Sequence, residues 1–324
     1  MQFYPVSREP EHFQQSLLPQ QVDTICRRAF GETVRVASVR ELSSGLFNNT
    51  YIVEIEGMAK AVLRIAPAPT SHLFPNERFL MRREHTVQPY LAAVCPQVPH
   101  TLFADFTHQL IGRDYVFQTF VAGEVWGAVR DTLTPVENDA IRRQLGGIAR
   151  QINSVRGDTF GNPWPDPGFA RWSEALVHFL TGMHEELGRE GLETDGSGRL
   201  LQWVTTNAGL FDEIREPRLL HGDLWPQNIL IERKPGGAEI VGVLDSERAM
   251  WGDPLFEWIY HLGTTHPAYW EGFGQRDESE GARLRALAYK GIWQVLVCME
   301  HLRFRNDAAW ARNGLTQVLA ELQV

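Results

Sequence analysis

Two short polar clusters in the second half of the chain carry the residue types that acid–base and metal chemistry need. The first is HGDLWPQN at residues 221–228, and the second is DSE at residues 245–247. Asp223 stands five positions before Asn228. Carboxylate and amide oxygens at such positions can accept a proton or bind a hard cation.

The segment between the clusters predicts a β-hairpin. Residues 229–231 and 240–244 are apolar and predict two short strands. Residues 234–237, KPGG, predict the turn between them, since Pro fixes φ and Gly accepts positive φ. Because a hairpin brings its two ends together, we expect Asp223, Asn228 and Asp245 to converge.

This convergence matches the requirements of phosphoryl transfer, in which the protein mainly positions its substrates and neutralises charge. Asp223 is the candidate base that accepts the proton of an acceptor hydroxyl. Asn228 and Asp245 are the candidate ligands of Mg²⁺, which prefers oxygen donors. The step from Asp223 to Asn228 equals the Asp-to-Asn step of the protein-kinase catalytic loop, although no Phe-Gly follows Asp245.

The motif HGDLWPQN followed by LDSERAMWGDP resembles the aminoglycoside phosphotransferase family, whose pattern is HGD-x4-N and then D-x-E/D-x-A-x2-GDP. The second segment is most similar to that of the hygromycin kinases, whereas HGDLW also occurs in fructosamine kinases. Ser246 departs from the pattern, because many members carry Trp there. The resemblance implies an α+β, protein-kinase-like fold of two lobes, an ATP or GTP donor, Mg²⁺ and a small-molecule hydroxyl acceptor.

In the terms of this family, residues 1–120 form a small N-lobe with an antiparallel sheet and a helix, and residues 121–324 form a larger, mainly helical C-lobe. The loop ELSSGLFNN at residues 41–49 is then the loop that covers the nucleotide, and Ser43 and Ser44 are candidate phosphate contacts. It contains one glycine where the kinase pattern has three. Gln118 and Phe120 lie where the lobes join, so their backbone is expected to face the purine.

Two further residues of the N-lobe have family counterparts. Arg64 matches the strand cation that contacts the α- and β-phosphates, but Lys60 is an alternative, because strand alternation places both on one face. Glu84 matches the helix glutamate that pairs with this cation, and Glu77 is the alternative.

Three residues near the polar clusters have supporting roles in this interpretation. His221 is expected to brace its loop through a backbone hydrogen bond near Asp245. Three roles stay open for Glu247: support of a second Mg²⁺ through water, contact with a substrate amine, and bracing of its own loop. Asp253 precedes Pro254 and is expected to cap a helix, since Asp is a favoured N-cap and Pro suits the first helical position.

Composition and charge narrow the class of protein. The chain has 324 residues, a net charge of −9 and 43% hydrophobic residues, which disfavours a nucleic-acid partner and favours a cationic acceptor. Three cysteines without pairable spacing indicate a reducing compartment. With neither a signal peptide nor a membrane-length apolar run, a cytoplasmic location is expected.

The periodicity of the sequence predicts the main elements. Helices are expected at residues 19–30, 75–93, 134–155, 169–190, 199–215, 255–263, 280–302 and 307–322. Outside the hairpin, strands are expected at residues 35–40, 50–55, 59–65, 101–106 and 113–120.

These observations predict an ATP- or GTP-dependent O-phosphotransferase that acts on an aminoglycoside-like acceptor. The alternatives are a metabolic kinase of the fructosamine, choline, homoserine or sugar type, and a catalytically silent nucleotide-binding module. The acceptor, the choice between ATP and GTP, and the oligomeric state stay open.

Overall fold

The computed structural model describes residues 1–9, 12–45, 47–68, 71–165, 168–257, 266–303 and 307–324. The chain divides into two compact units, the first comprising Met1–His72 and Pro96–Gly123 and the second Leu73–Cys95 and Glu124–Val324. The segment Leu73–Cys95, which the sequence assigns to the N-lobe, therefore groups with the second unit. The boundary at residue 120 stays a prediction.

The first unit is built on a mixed sheet with one helix. Its elements are β1 (Gln2–Tyr4), α1 (Pro19–Phe30), β2 (Val36–Glu41), β3 (Asn49–Ile55), β4 (Ala61–Ile65), β5 (Thr101–Asp105) and β6 (Tyr115–Thr119). The strand order is β1-β2-β3-β4-β6-β5. All pairs are antiparallel except β1 with β2.

Alternation along these strands places one set of side chains in the core of this unit. Tyr51, Val53 and Ile55 of β3 pack with Leu63 and residues of α1. The helix α1 begins at Pro19, where the absent N–H of proline costs no helical hydrogen bond. The predicted bounds of α1 are confirmed.

The second unit is mainly helical. Its described helices are α2 (Leu80–Val94), α3 (Trp126–Val129), α4 (Pro135–Ile152), α5 (Trp172–Arg189), α6 (Asp195–Thr206), α7 (Ala208–Phe211), α8 (Pro254–Glu257), α9 (Pro267–Phe273), α10 (Glu280–Arg303) and α11 (Ala309–Glu321). Of the helix predicted at residues 255–263, the part from 258 onward lies outside the described residues.

Two small sheets complete this unit. Its strands are β7 (Glu124–Val125), β8 (Arg218–Leu220), β9 (Ile229–Lys234), β10 (Gly237–Val243) and β11 (Met250–Gly252). One sheet has the order β10-β9-β7, and the other pairs β11 with β8, both antiparallel. The predicted hairpin is confirmed as β9–β10, in which Lys234 pairs with Gly237.

One predicted helix, residues 75–93, is interrupted in the structure. A 3₁₀ turn covers Pro75–Glu77, and α2 begins only after Phe79, whose φ of 65° lies in the left-handed region. A residue in that conformation cannot continue a right-handed helix. Across the described residues, no helix combines the length and the apolarity needed to cross a bilayer.

Candidate active site

The β9–β10 hairpin places the ends of the two polar clusters side by side. Asn228 directly precedes β9, and Asp245 follows β10 after one residue. Ile229 pairs with Val243, and the N–H of Leu244 donates to the carbonyl of Asn228 at 2.8 Å. The strand register therefore brings Asn228 and the chain next to Asp245 together, as the sequence predicts.

Asp223 and Asn228 are in direct contact. Nδ2 of Asn228 donates to Oδ2 of Asp223 at 2.7 Å and to its main-chain oxygen at 3.0 Å. The five-residue step between them is closed by a 3₁₀ turn at Pro226–Asn228, in which the N–H of Asn228 donates to the carbonyl of Trp225 at 2.9 Å. This turn fixes the carboxylate against the amide.

The surroundings of Asp223 favour its protonated form. Burial raises the pKa of this carboxyl from 3.8 to about 7, although part of the residue stays exposed. The positive charge of Arg248 and the hydrogen bond from Asn228 lower the pKa, whereas the charges of Asp245 and Glu300 raise it. Arg248 also forms an ion pair with Glu300 of α10. A carboxyl tuned in this way can accept a proton near neutral pH.

Asp245 has an uncommon backbone conformation. Its φ of 64° lies in the left-handed region, where non-glycine residues are rare and Asp is among the better tolerated. Ser246 and Glu247 beside it are buried, and the N–H of Ala249 donates to the carbonyl of Ser246 at 3.0 Å. This turn orients Asp245 independently of strand alternation.

Three carboxylates gather at this turn. One oxygen atom each of Glu84, Asp245 and Glu247 lies within 4.8 Å of the others, and Glu84 and Glu247 are buried. Carboxylates this close repel one another, and a divalent cation relieves that repulsion. The set of hard oxygen donors fits Mg²⁺. The structure thus brings Glu84 of α2 to Asp245, whereas its predicted pairing with Arg64 stays a prediction.

His221 lies in the interior and braces its own loop. Its side chain is fully buried, and Nδ1 accepts a hydrogen bond from the N–H of Asp223 at 3.3 Å. Burial lowers the pKa of the imidazole to about 4, although the charge of Asp245 acts in the opposite direction. Within the described residues Nε2 has no hydrogen-bond partner. The imidazole is therefore neutral at pH 7 and holds the backbone of Asp223.

Glu257, on α8, is a site residue that the sequence reasoning missed. Its carboxylate is fully buried and accepts the N–H of Gly222 at 3.2 and 3.3 Å. Burial raises the pKa of Glu257 to about 8, against the backbone hydrogen bonds from Gly222 and His221. The available signal was a lone acid between the apolar residues Phe256 and Trp258 of the sequence.

Gly222 itself is fixed by a close backbone contact. Its φ is 79°, and a Cβ at this position would lie 2.2 Å from the main-chain oxygen of Arg248. Only glycine therefore fits between His221 and Asp223. The first polar cluster therefore lies against the residue that directly follows the second cluster.

The expectation for Asp253 is confirmed. Oδ1 accepts the N–H of Leu255 at 3.0 Å, which caps α8. Oδ2 accepts hydrogen bonds from Nε of Arg285 at 3.1 Å and from the hydroxyl of Tyr289 at 2.8 Å. Asp253 thus links α8, which carries Glu257, to α10.

In the first unit, Arg64 and Lys60 differ in their surroundings. Arg64 lies on β4 opposite Thr50 and is 8% exposed. Lys60 precedes the strand, and its side chain is 52% exposed and forms an ion pair of 2.6 Å with Glu54. Lys60 is thus a solvated surface cation, which favours Arg64 as the phosphate-binding cation.

The other predicted nucleotide contacts are also in the first unit. Ser43 and Ser44 are exposed in the loop between β2 and β3. Gln118 is buried on β6, and Phe120 follows that strand with 38% of its surface exposed. Their roles stay predictions.

The chain matches the sequence profile of a known protein family. The sequence profile of the Phosphotransferase enzyme family matches residues 38–289. No curated protein sequence matches the chain.

Solved structures of aminoglycoside phosphotransferases have a similar fold. The GDP complex of wild-type aminoglycoside 2'-phosphotransferase-IIIa is 18% identical with a TM-score of 0.65, covering 93% of this chain and 98% of its own. The streptomycin–ATP complex of APH(2")-IIa is 16% identical with a TM-score of 0.63, covering 94% and 97%. A thermostable mutant of APH(4)-Ia with ADP and hygromycin B is 18% identical with a TM-score of 0.64, covering 93% and 98%. The predicted α+β, kinase-like fold is confirmed.

Proposed function

The chain belongs to the phosphotransferase enzyme family, and from this membership we propose that it transfers the γ-phosphoryl group of ATP or GTP to a hydroxyl of a small cationic molecule. It is a kinase-type phosphotransferase by family and fold. The observation that carries the proposal is the contact of Asp223 with Asn228 at the base of the hairpin, beside Asp245.

In the proposed reaction the acceptor hydroxyl donates a hydrogen bond to the carboxylate of Asp223. The hydroxyl oxygen forms a bond to the γ-phosphorus, and the bond from that phosphorus to the β-phosphate oxygen breaks. The electron pair of the broken bond leaves with the nucleoside diphosphate, and the hydroxyl proton passes to Asp223. The pKa of about 7 lets Asp223 release this proton to solvent in the next cycle.

Asn228 and Asp245 are the residues we propose to hold Mg²⁺, which when bound neutralises charge on the donor phosphates. Both amide hydrogen bonds of Asn228 use its nitrogen, so its oxygen is the atom available for a metal. Glu247 and Glu84 lie close enough to Asp245 to support a second ion or its water ligands. His221 and Glu257 hold the loop that carries Asp223.

For the donor, we propose that Arg64 binds the phosphates, that Ser43 and Ser44 contact them from the loop, and that the backbone at Gln118 and Phe120 binds the purine. The burial of Arg64 supports this assignment over Lys60. Guanidinium groups suit phosphate because their donors match its oxygens.

For the acceptor, a cationic amine is favoured by the net charge of −9. Similar structures contain streptomycin or hygromycin B. An aminoglycoside is therefore the first candidate, and antibiotic resistance is the corresponding role. The three cysteines, Cys26, Cys95 and Cys298, are buried thiols, which supports a cytoplasmic location.

A coupled assay of nucleotide consumption tests the acceptor class. ATP and GTP with Mg²⁺ are offered with aminoglycosides, hygromycin B, fructosamines, choline and homoserine, and each amine is matched with a neutral polyol. We expect turnover on an amine and none on the matched polyol. Turnover on a neutral sugar alone would refute the cationic acceptor, and nucleotide binding without turnover would favour a silent module.

A further inference from the structure

The loop between β2 and β3 is tied to residues 6–9 and 12–17 of the same unit, which we call the N-terminal strap. The two ends of this loop are hydrogen-bonded to each other. Nδ2 of Asn49 donates to Oε1 of Glu41 at 2.8 Å, and the N–H of Leu42 donates to the carbonyl of Thr50 at 2.8 Å. Glu41 is therefore the fixed base of the loop.

The strap holds Glu41 with three further donors. Nη1 of Arg8 donates to Oε1 at 2.6 Å, the hydroxyl of Ser16 donates to Oε2 at 2.7 Å, and the N–H of Val6 donates to Oε2 at 3.0 Å. Burial of Glu41 works against its charge, but these hydrogen bonds and that from Asn49 outweigh it and lower the pKa of the carboxyl. Glu41 is thus a buried, ionised anchor.

Gln14 reaches further along the loop. Its side chain is buried, and Nε2 donates to the carbonyls of Gly45 at 3.0 Å and of Asn48 at 2.9 Å. A primary amide has two N–H donors, so both are used on loop carbonyls. Beside Gln14 in the chain, Phe13 packs against Phe47, with their ring centroids 5.4 Å apart.

Two residues outside the loop also form hydrogen bonds with the strap. The N–H of Leu17 donates to the hydroxyl of the buried Tyr51 at 2.9 Å, and the guanidinium of Arg113 donates to the carbonyl of Gln15 at 3.0 and 3.1 Å. Gln14 is therefore held between a rigid sheet and the loop. A carbonyl oxygen repels an anionic phosphate, so bonding the loop carbonyls to Gln14 favours phosphate binding by the loop.

We propose that Gln14 is a positioning residue for the donor nucleotide, which fixes the described residues of the loop, 41–45 and 47–49, through the carbonyls of Gly45 and Asn48. The inference rests on the proposed function, in which this loop covers the phosphates. It assigns to the N-terminal strap a part in nucleotide affinity, with no part in acceptor binding.

The test compares Gln14→Glu with Gln20→Glu. The first replaces the donating nitrogen by an oxygen without a change of size, and the second makes the same change on an exposed side chain of α1, outside the strap and the loop. We expect Gln14→Glu to raise the KM and the Kd for Mg²⁺-nucleotide about ten-fold, with kcat at saturating nucleotide and the acceptor KM unchanged. Gln20→Glu is expected to match the wild type.

Gln14→Met separates the loss of the donors from the added charge, and we expect it to weaken nucleotide binding as well. If Gln14→Glu and Gln14→Met bind nucleotide as tightly as Gln20→Glu, the inference is wrong. Failure of the wild type to bind Mg²⁺-nucleotide would instead overturn the proposed function.

Hydrogen exchange of the wild-type protein tests the same point without a variant. We expect bound nucleotide to slow amide exchange in residues 12–17 of the strap. Unchanged exchange there, in a sample saturated with nucleotide, would contradict a coupling between the strap and the nucleotide loop.

Discussion

The side-chain amide of Asn228 donates both to the carboxylate of Asp223, at 2.7 Å, and to the main-chain oxygen of the same residue, at 3.0 Å. One side chain thus orients the proposed base and leaves its own oxygen for a metal. In the proposed reaction this contact couples proton transfer to metal binding.

Replacement of Asn228 by Ala should therefore affect both functions. We expect turnover to fall by at least about 10- to 100-fold and Mg²⁺-dependent nucleotide affinity to weaken, because the loss of even an outer partner of a metal site has effects of this size. Steady-state kinetics and calorimetry measure the two effects. Asn207→Ala is the matched control, since Asn207 directly follows α6 and its Nδ2 donates to the carbonyl of Trp203 in that helix. Equal turnover and equal nucleotide affinity in the two variants would contradict the proposed role of Asn228 as metal ligand and partner of Asp223.

Replacement of Asp245 by Ala should remove the part of nucleotide affinity that depends on Mg²⁺. The carboxylate is the charged member of the proposed ligand pair, whereas the proposed nucleotide contacts that do not involve the metal lie in the first unit. Calorimetric titration with and without Mg²⁺ measures the difference. Asp131→Ala, at a side chain that is 94% exposed, serves as the control. An unchanged Mg²⁺ dependence in Asp245→Ala would show that the metal binds elsewhere.

Replacement of Gly222 by Ala tests the close contact between Gly222 and the main chain of Arg248. The new methyl group would meet the main-chain oxygen of Arg248, so we expect loss of turnover and a lower unfolding temperature. Gly191→Ala is the control, since its φ of 71° is similar and no atom lies within 4 Å of its Cβ position. Both variants carry the conformational cost of about 1–2 kcal/mol. An equal loss in both would exclude a specific effect at Arg248.

The buried carboxyl groups predict how stability depends on pH. The pKa of Glu257 rises from 4.5 to about 8 on folding, so its protonated form stabilises the fold at low pH and that contribution is lost as the pH rises to 8. Asp223, with its pKa near 7, acts in the same direction. His221, whose pKa is lowered from 6.5 to about 4, acts in the opposite direction but only below pH 6.5.

The unfolding temperature of the ligand-free protein should therefore fall between pH 6.5 and 8. We expect Glu257→Gln to reduce this fall, because its amide does not titrate and its oxygen still accepts the N–H of Gly222. The exposed Glu321→Gln is the control. Calorimetric unfolding at several pH values provides the measurement, and an equal slope in both variants would argue against Glu257 as the titrating group.

Much of this site could be predicted from the sequence, because a single β-hairpin positions the residues at its two ends. The KPGG turn and the apolar residues around it specify the β9–β10 hairpin, and the hairpin brings Asn228 to Asp245. The strand predicted at residues 59–65 begins only at Ala61 in the structure. Because β4 begins at Ala61, the alternation that grouped Lys60 with Arg64 does not apply to Lys60.

The parts that were missed depend on contacts between distant segments. The role of Glu257 arises only where α8 meets the loop at Gly222, 35 positions earlier. The strands β8 and β11 have three residues each and pair with each other, so neither has a periodicity of its own. The placement of Glu84 beside Asp245 and Glu247 likewise depends on tertiary packing.

The most direct test of the proposed function is acceptor phosphorylation by Asp223→Asn. The amide keeps the size of the side chain but cannot accept the hydroxyl proton. Product formation is followed by the mass of the acceptor, and Mg²⁺-nucleotide affinity is measured in the same preparation. We predict a rate at least about 100-fold below that of the wild type, with nucleotide affinity retained. Transfer at the wild-type rate would show that Asp223 is not the base and would contradict the proposed mechanism.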